Sequence, residues 1–164
     1  MKTERAVRIG FEFVRLPALV RLAEAGDGEA QARLRETVRT LLRDPDPAMR
    51  TEALAAIGPA DVDLVDEVVS ALEVPATMSA AAAALGRLGD AALPRIAAVL
   101  AETSEQPTPA TLRMVRATRA ASPDQAAMCL GSYIEHRDRE LALAVLTALA
   151  AAGADPAPIA PALD

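Results

Sequence analysis

Residues that end helices recur along this chain at a nearly constant distance. The recurring residues are Gly58, Gly89, Ser122 and Gly153. Successive members of this set are separated by about 31 to 33 residues. An alanine stands five positions before each of them, at Ala53, Ala84, Ala117 and Ala148. Self-similarity at a fixed period of this size is typical of repeat proteins, in which each unit stacks on its neighbours.

Proline, glycine and aspartate divide the chain into helical segments. Between these breaks Ala and Leu dominate, with 39 alanines among 164 residues, and both are strong helix formers. Gly fits the left-handed position after a helix, Asp caps the next helix, and Pro fits its first turn. The breaks predict helices near 3–25, 28–43, 47–57, 61–73, 76–88, 91–103, 109–121, 124–136 and 138–152.

The first segment fits two secondary structures. Val7, Ile9 and Phe11 alternate as in a strand, whereas Val7, Phe11 and Val14 share one face of a helix. We interpret the segment as a helix in which Pro17 introduces a kink or a break.

The composition excludes several classes of protein. Hydrophobic residues make up 52% of the chain, which argues against intrinsic disorder and is enough for one domain with a core. The chain has no apolar stretch of about 18 residues, and its charged start does not resemble a signal peptide, so we expect no signal peptide, no membrane span and a cytoplasmic location. Cys129 is the only cysteine, which excludes an internal disulfide and a cysteine-rich zinc site. Arg makes up 16 of the 17 basic residues, which with the abundant Ala is typical of GC-rich bacterial genomes.

The period predicts a unit of two antiparallel helices that is about 31 residues long. The predicted pairs are 47–57 with 61–73, 76–88 with 91–103, 109–121 with 124–136, and 138–152 with a short stub at 156–164. One pair cannot bury its own apolar stripe, so neighbouring pairs are expected to stack into an α-solenoid. We therefore expect one all-α domain over residues 1–164. Its capping helices would cover 1–43 and its repeats 44–164, the last of them incomplete.

Two stretches resemble a known repeat family. The residues from Asp44 to Gly58 resemble the first helix of a HEAT repeat, with an acidic-Pro entry, a hydrophobic residue followed by Arg50, and a closing Gly. The residues from Gly89 to Leu100 are similar to the second helix of the short HEAT-like repeats first named for bilin lyases. The resemblance covers about residues 44–164. It implies a right-handed α-α superhelix of four to five hairpins, similar to armadillo arrays.

The chain departs from the HEAT pattern at one place. The pattern has an arginine in the first helix of each repeat, and only the first repeat of this chain has it, at Arg50. The equivalent positions in the later repeats are Ala81, Met114 and Val145. The resemblance implies a scaffold that binds a protein or peptide, without catalysis and without a cofactor. Two alternatives stay open. One is a structural or regulatory repeat segment of a larger protein, such as the cytosolic part of a membrane-attached protein. The other is an enzyme similar to bilin lyases or to HEAT-like DNA-repair glycosylases.

Acidic residues crowd one predicted second helix, the kind of helix that lines the inner surface of HEAT-like arrays. Asp63, Asp66, Glu67 and Ser70 stand at i, i+3, i+4 and i+7 and share one face. The opposite face would carry the apolar residues Val62, Val65, Val69 and Leu72. Such carboxylates would attract a basic peptide. The alternative is a plain solvated face on which Asp61 serves as the N-cap.

Arginines form two stripes, which makes nucleic acid a candidate partner. Arg113, Arg116 and Arg119 stand three residues apart, and Arg35, Arg39 and Arg43 stand four apart. From residue 46 onward, however, 8 basic residues face 16 acidic ones, so a polyanion would be repelled. No aromatic residue lies among the arginines to stack on bases. We therefore expect ordinary charged helix faces.

Polar residues of the 124–136 segment complete the candidate site. Tyr133, Glu135 and His136 would form the rim of a binding groove. Cys129 and His136 are seven residues apart, or about 10 Å along a helix, which is too far for a dyad or a shared metal ion. The simpler interpretation makes Cys129 a small core residue and His136 a cation at a helix C-terminus.

The end of the chain suggests a further contact. The last full helix would be covered on one side only, because the stub after Pro156 is short; its apolar residues are Leu141, Val145, Leu146 and Leu149. We expect either a continuation of the array or docking of this face on a partner or on a second copy of the chain.

Overall fold

The computed structural model describes residues 16–21, 23, 25–103 and 105–154. Within these ranges the chain is all-α and contains no strand, and eight α-helices have defined bounds. The chain divides into two compact units, Met1–Ile57 (unit 1) and Gly58–Asp164 (unit 2). The helices are α1 (Gly28–Leu42), α2 (Pro47–Ala56), α3 (Val65–Ala71), α4 (Met78–Leu88), α5 (Leu93–Thr103), α6 (Pro109–Ala117), α7 (Pro123–Leu130) and α8 (Arg139–Ala152).

In unit 1, α1 packs against α2. Residues 16–21 are helical as well, as the sequence predicts, whereas the ambiguous start of that segment and the predicted stub at 156–164 lie outside the described residues. Asp27 caps α1, because its carboxylate accepts the N–H groups of Glu29 and Ala30 at 3.0 Å. Asp46 caps α2 through the N–H of Ala48 at 2.9 Å. The predicted capping chemistry is therefore confirmed at both helix starts.

Unit 2 contains α3 to α8, and its helices pack in two rows. In one row α4 packs on α6, and α6 packs on α8. In the other row α5 packs on α7. Contacts between α5 and α6 and between α7 and α8 join the rows, while α3 packs on α4. Alternate helices along the chain are therefore neighbours in space.

The closest successive helices differ from the predicted pairs. The sequence grouped the helices now seen as α4 and α5 into one pair and those seen as α6 and α7 into the next. In unit 2 the extensive contacts between successive helices join α3 with α4, α5 with α6, and α7 with α8. A period defines the spacing of a repeat but not the residue at which the unit begins, so the pattern alone could not make this distinction.

The four alanines of the sequence register are all buried. Ala53 and Ala84 expose 0% of their surface, Ala148 exposes 2% and Ala117 exposes 9%. The residue after each is buried too, at Leu54, Leu85, Thr118 and Leu149. The predicted burial of the four aligned alanines is therefore confirmed.

Short 3₁₀ turns flank several helices where the sequence predicts longer α-helices. They cover Val62–Leu64, Gly89–Ala92, Thr118–Ala120 and Gly131–Tyr133. Such turns are common at α-helix ends, because they satisfy terminal backbone groups within a tighter spiral. The helices predicted at 61–73, 109–121 and 124–136 are thus partly 3₁₀. No helix among the described ranges is long and apolar enough to span a membrane.

Candidate functional site

The acidic surface, made of Asp63, Asp66, Glu67 and Ser70, lies on α3 and on the 3₁₀ turn before it. Asp63, Asp66 and Ser70 are exposed, and Glu67 is half-buried. The hydroxyl of Ser70 donates to the carbonyl oxygen of Asp66 at 2.9 Å. The structure therefore presents most of this predicted surface to solvent.

The apolar side of α3 differs in register from the prediction. Leu64, Val65, Val68 and Leu72 are the buried residues. Val62, which the prediction placed among the apolar residues, is 49% exposed, and Val69 is only half-buried. The reason is the 3₁₀ turn at Val62–Leu64, which has about three residues per turn and so rotates the residues before α3 relative to an α-helical pattern.

One carboxylate of the acidic surface is engaged by an arginine from another helix. The Nε atom of Arg95, on α5, donates to Oδ1 of Asp66, on α3, at 2.6 Å. The Asp66 side chain is 75% exposed and that of Arg95 40%, so the pair adds about 0–1 kcal/mol to stability. The two residues are 29 positions apart, close to one sequence period. No pattern in the sequence indicated that Arg95 would neighbour this surface.

Asp61 does not cap the turn that follows it, contrary to the alternative interpretation of this region. Its side chain makes no capping hydrogen bond to Val62–Leu64. Instead Oδ2 of Asp61 accepts the N–H of Gly58 at 2.9 Å, three residues earlier in the chain. Asp61 thus satisfies the backbone of the joint that precedes it.

The predicted rim residues lie beyond α7. Tyr133 ends the 3₁₀ turn Gly131–Tyr133, and Glu135 and His136 follow in the loop before α8. The rings of Tyr133 and His136 have centroids 6.3 Å apart. Nδ1 of His136 accepts the N–H of Asp138 at 3.1 Å. His136 does not stand at the C-terminus of α7, as the simpler interpretation expected, because α7 already ends at Leu130.

Cys129 is a half-buried residue of α7. Its thiol lies 3.6 Å from the carbonyl oxygen of Leu93, on α5, and donates to it. Burial raises the pKa of the Cys129 thiol above its ordinary value, because the thiolate would be less well solvated than in water. The environment therefore favours the unreactive thiol form.

The predicted stripe of Arg113, Arg116 and Arg119 lines a groove between α4 and α6. We call this site the arginine groove, after Arg87, Arg113, Arg116 and Arg119. Its volume is about 710 Å³, and small residues such as Ala83 and Ala120 form much of the remaining lining. The sequence placed three of these arginines on one stripe. It did not indicate that Arg87, which belongs to an earlier segment of the chain, borders the same groove.

Small residues let the two helices that border the arginine groove approach each other. A Cβ atom added to Gly86 would lie 3.8 Å from the carbonyl oxygen of Ala117 and 3.9 Å from Cβ of Ala120. Both distances are ordinary van der Waals contacts, so the space between Gly86 and the end of α6 is about large enough for one methyl group.

Three polar contacts in unit 2 join residues about one period apart. Besides Asp66 with Arg95 and Leu93 with Cys129, Oδ1 of Asp90 accepts the N–H of Ser122 at 2.7 Å. The separations along the chain are 29, 36 and 32 residues, respectively. Each contact therefore joins parts of unit 2 that lie 29 to 36 residues apart in the sequence.

Comparison of the chain with known protein families, with curated proteins and with solved structures finds no significant match.

Proposed function

We propose that this chain is a HEAT-like α-solenoid that serves as a non-catalytic interaction module. The observation that carries this proposal is the packing order in unit 2, in which α4, α6 and α8 form one row and α5 packs on α7 beside it. Stacked helix pairs produce this alternation, because each pair contacts only its neighbours. Polar contacts about one period apart and the buried alanine positions agree with it.

Solution scattering tests the shape that this proposal requires. A compact globule of 164 residues has a radius of gyration of about 15 Å. We expect a larger radius for the monomer, since a solenoid of four to five hairpins is elongated. A compact radius at monomeric mass would contradict the solenoid.

For the partner, we propose a basic protein or peptide bound at the acidic surface. Carboxylates of Asp63, Asp66 and Glu67 lie within five residues on α3 and its preceding turn, and two of these side chains are exposed. Asp66 already meets one guanidinium, that of Arg95, which illustrates the chemistry that a partner's arginine would use. Tyr133, Glu135 and His136 remain candidates for a second contact with the same partner.

The absence of catalysis in this proposal is supported by the chemistry of Cys129. A nucleophilic cysteine needs a lowered pKa, which a neighbouring cation or a helix N-terminus provides. Cys129 lies near the end of α7, and burial raises its pKa. This thiol is therefore suited to packing rather than to attack on a substrate.

Charge reversal on α3 tests the binding site. The triple variant Asp63→Lys, Asp66→Lys, Glu67→Lys should slow association with a fluorescein-labelled decapeptide rich in Lys and Arg by about tenfold at low ionic strength, because local charges act mainly on the association rate. Stopped-flow fluorescence at several salt concentrations measures this rate. The dependence on salt should flatten in the variant.

A matched control variant has the same net charge as the triple variant, but its three substitutions lie elsewhere in unit 2. Glu102→Lys, Glu105→Lys, Asp124→Lys changes three exposed acids and, like the test variant, raises the formal charge of −6 by 6 to zero. We expect the control to change the association rate much less. Equal slowing in both variants would mean that the peptide responds only to overall charge, and would remove the site from α3.

A second candidate role is favoured by the apolar surface of α8. Leu143 is 64% exposed and Leu146 is 41% exposed. The sequence-based expectation of partial cover was wrong for Leu141, Val145 and Leu149, which are buried, and right for Leu146. The exposed pair fits the predicted self-association or the packing of a further segment of a larger repeat protein. The forward intensity of the same scattering experiment measures the mass, and a monomer at all concentrations would argue against self-association.

A further inference from the structure

The arginine groove has a charge pattern unlike the rest of unit 2. Arg87 comes from α4, Arg113 and Arg116 from α6, and Arg119 from the 3₁₀ turn Thr118–Ala120. No Asp or Glu is among the residues that line the groove. The sequence of unit 2 contains 7 arginines and 14 acidic residues, and four of the seven arginines border this single groove.

Three of these arginines have no counter-charge among the residues that the structure describes. Arg113, Arg116 and Arg119 are exposed and make no hydrogen bond or ion pair with any described residue. Like charges one turn apart on a helix repel each other by a few tenths of a kcal/mol. An anion in the groove would relieve this repulsion, and guanidinium groups bind carboxylates through two parallel hydrogen bonds.

The dimensions of the groove suit a short peptide. Arg113 and Arg116 are about 4.5 Å apart along the helix axis, and Arg113 and Arg119 about 10 Å, because Arg119 lies in the 3₁₀ turn. In an extended peptide, side chains on the same side are about 6.6–6.8 Å apart. Flexible arginine side chains can adjust to that spacing. The small lining residues, such as Ala83 and Gly86, leave room for a peptide backbone close to the helices.

We propose that the arginine groove binds a short acidic peptide segment of a partner protein, whose carboxylates pair with Arg113, Arg116 and Arg119. This surface is separate from the acidic surface on α3 and selects the opposite charge. A nucleic acid fits less well, because a long polyanion would also meet the excess of acidic residues in unit 2 and the groove lining offers no aromatic ring for bases. Within about 10 Å of the groove the local charges dominate, so a short segment meets mainly the arginines there.

The test uses a fluorescein-labelled decapeptide with glutamate at alternate positions, and its affinity is measured by fluorescence anisotropy. Arg113→Gln, Arg116→Gln should weaken binding by about tenfold or more. The control is Arg137→Gln, Arg139→Gln, which changes two exposed arginines of unit 2 outside the groove and leaves the same net charge. We expect the control to change the affinity by about twofold or less, as for screened charges at a distance.

Two further measurements keep the proposal falsifiable. Arg113→Lys, Arg116→Lys should bind more tightly than the Gln variant but less tightly than the natural protein, because Lys keeps the charge but not the paired hydrogen bonds. Circular dichroism should report unchanged helix content in all variants. The proposal is overturned if the control weakens binding as much as the groove variant, or if a Gln version of the peptide binds equally well. It is also overturned if a single-stranded RNA decamer binds more tightly and loses affinity in the same groove variant.

Discussion

Replacement of Leu100 by alanine is expected to lower the free energy of unfolding by about 2–5 kcal/mol. Leu100 lies on α5 and exposes 0% of its surface. The substitution removes buried methyl groups and leaves a cavity that the close-packed helices cannot fill completely. Urea unfolding followed by circular dichroism measures the change. We expect the midpoint to fall, with the slope nearly unchanged.

Two further variants serve as controls for the Leu100→Ala measurement. Leu100→Met keeps the volume and should cost less than about 1.5 kcal/mol, so it stays folded even if the alanine variant does not. Leu143→Ala makes the same chemical change at a residue that is 64% exposed, and should alter stability by about 0.5 kcal/mol or less. Equal effects of Leu100→Ala and Leu143→Ala would contradict the burial of α5 against its neighbours.

Enlargement of Ala84 should have the next largest effect, for the opposite reason. Ala84 is fully buried on α4, and a leucine there would force the neighbouring helices apart at a cost of about 1–3 kcal/mol. Ala83→Leu is the matched control, because Ala83 is the adjacent residue of the same helix and is exposed. Thermal unfolding of both variants measures the difference. If Ala84→Leu were as stable as Ala83→Leu, the alignment that places Ala84 at a buried helix contact would be wrong.

The helices were predictable because their ends are encoded locally. Asp27 and Asp46 cap α1 and α2 as expected, and Gly153 adopts the left-handed conformation after α8, with φ of 79°. These signals act within four residues, so they can be read without knowledge of the fold. Gly58 does not follow this pattern. Ile57, which ends α2, has an extended backbone, and the N–H of Gly58 donates to Oδ2 of Asp61.

Contacts across helices were not predictable from the same signals. The pairing of Asp66 with Arg95, and the position of Arg87 and Arg113 along the same groove, depend on which helices become neighbours. A single period along the sequence is compatible with more than one grouping of helices. The 3₁₀ turn before α3 also shifted Val62 out of the predicted face. The acidic surface could therefore be located from the sequence, whereas its arginine neighbour could not.

The bond between Ser122 and Asp90 has a consequence for how such a chain can change in evolution. Ser122, Gly58 and Gly153 stand at equivalent joints, but their N–H groups are satisfied in different ways. Ser122 uses a carboxylate from the previous joint, Gly58 uses Asp61 of its own joint, and Gly153 uses backbone carbonyls of α8. The segments are therefore not interchangeable. Deleting the segment that carries Asp90 would remove the carboxylate that the Ser122 N–H uses, whereas the joints at Gly58 and Gly153 would keep acceptors that lie within four residues of them.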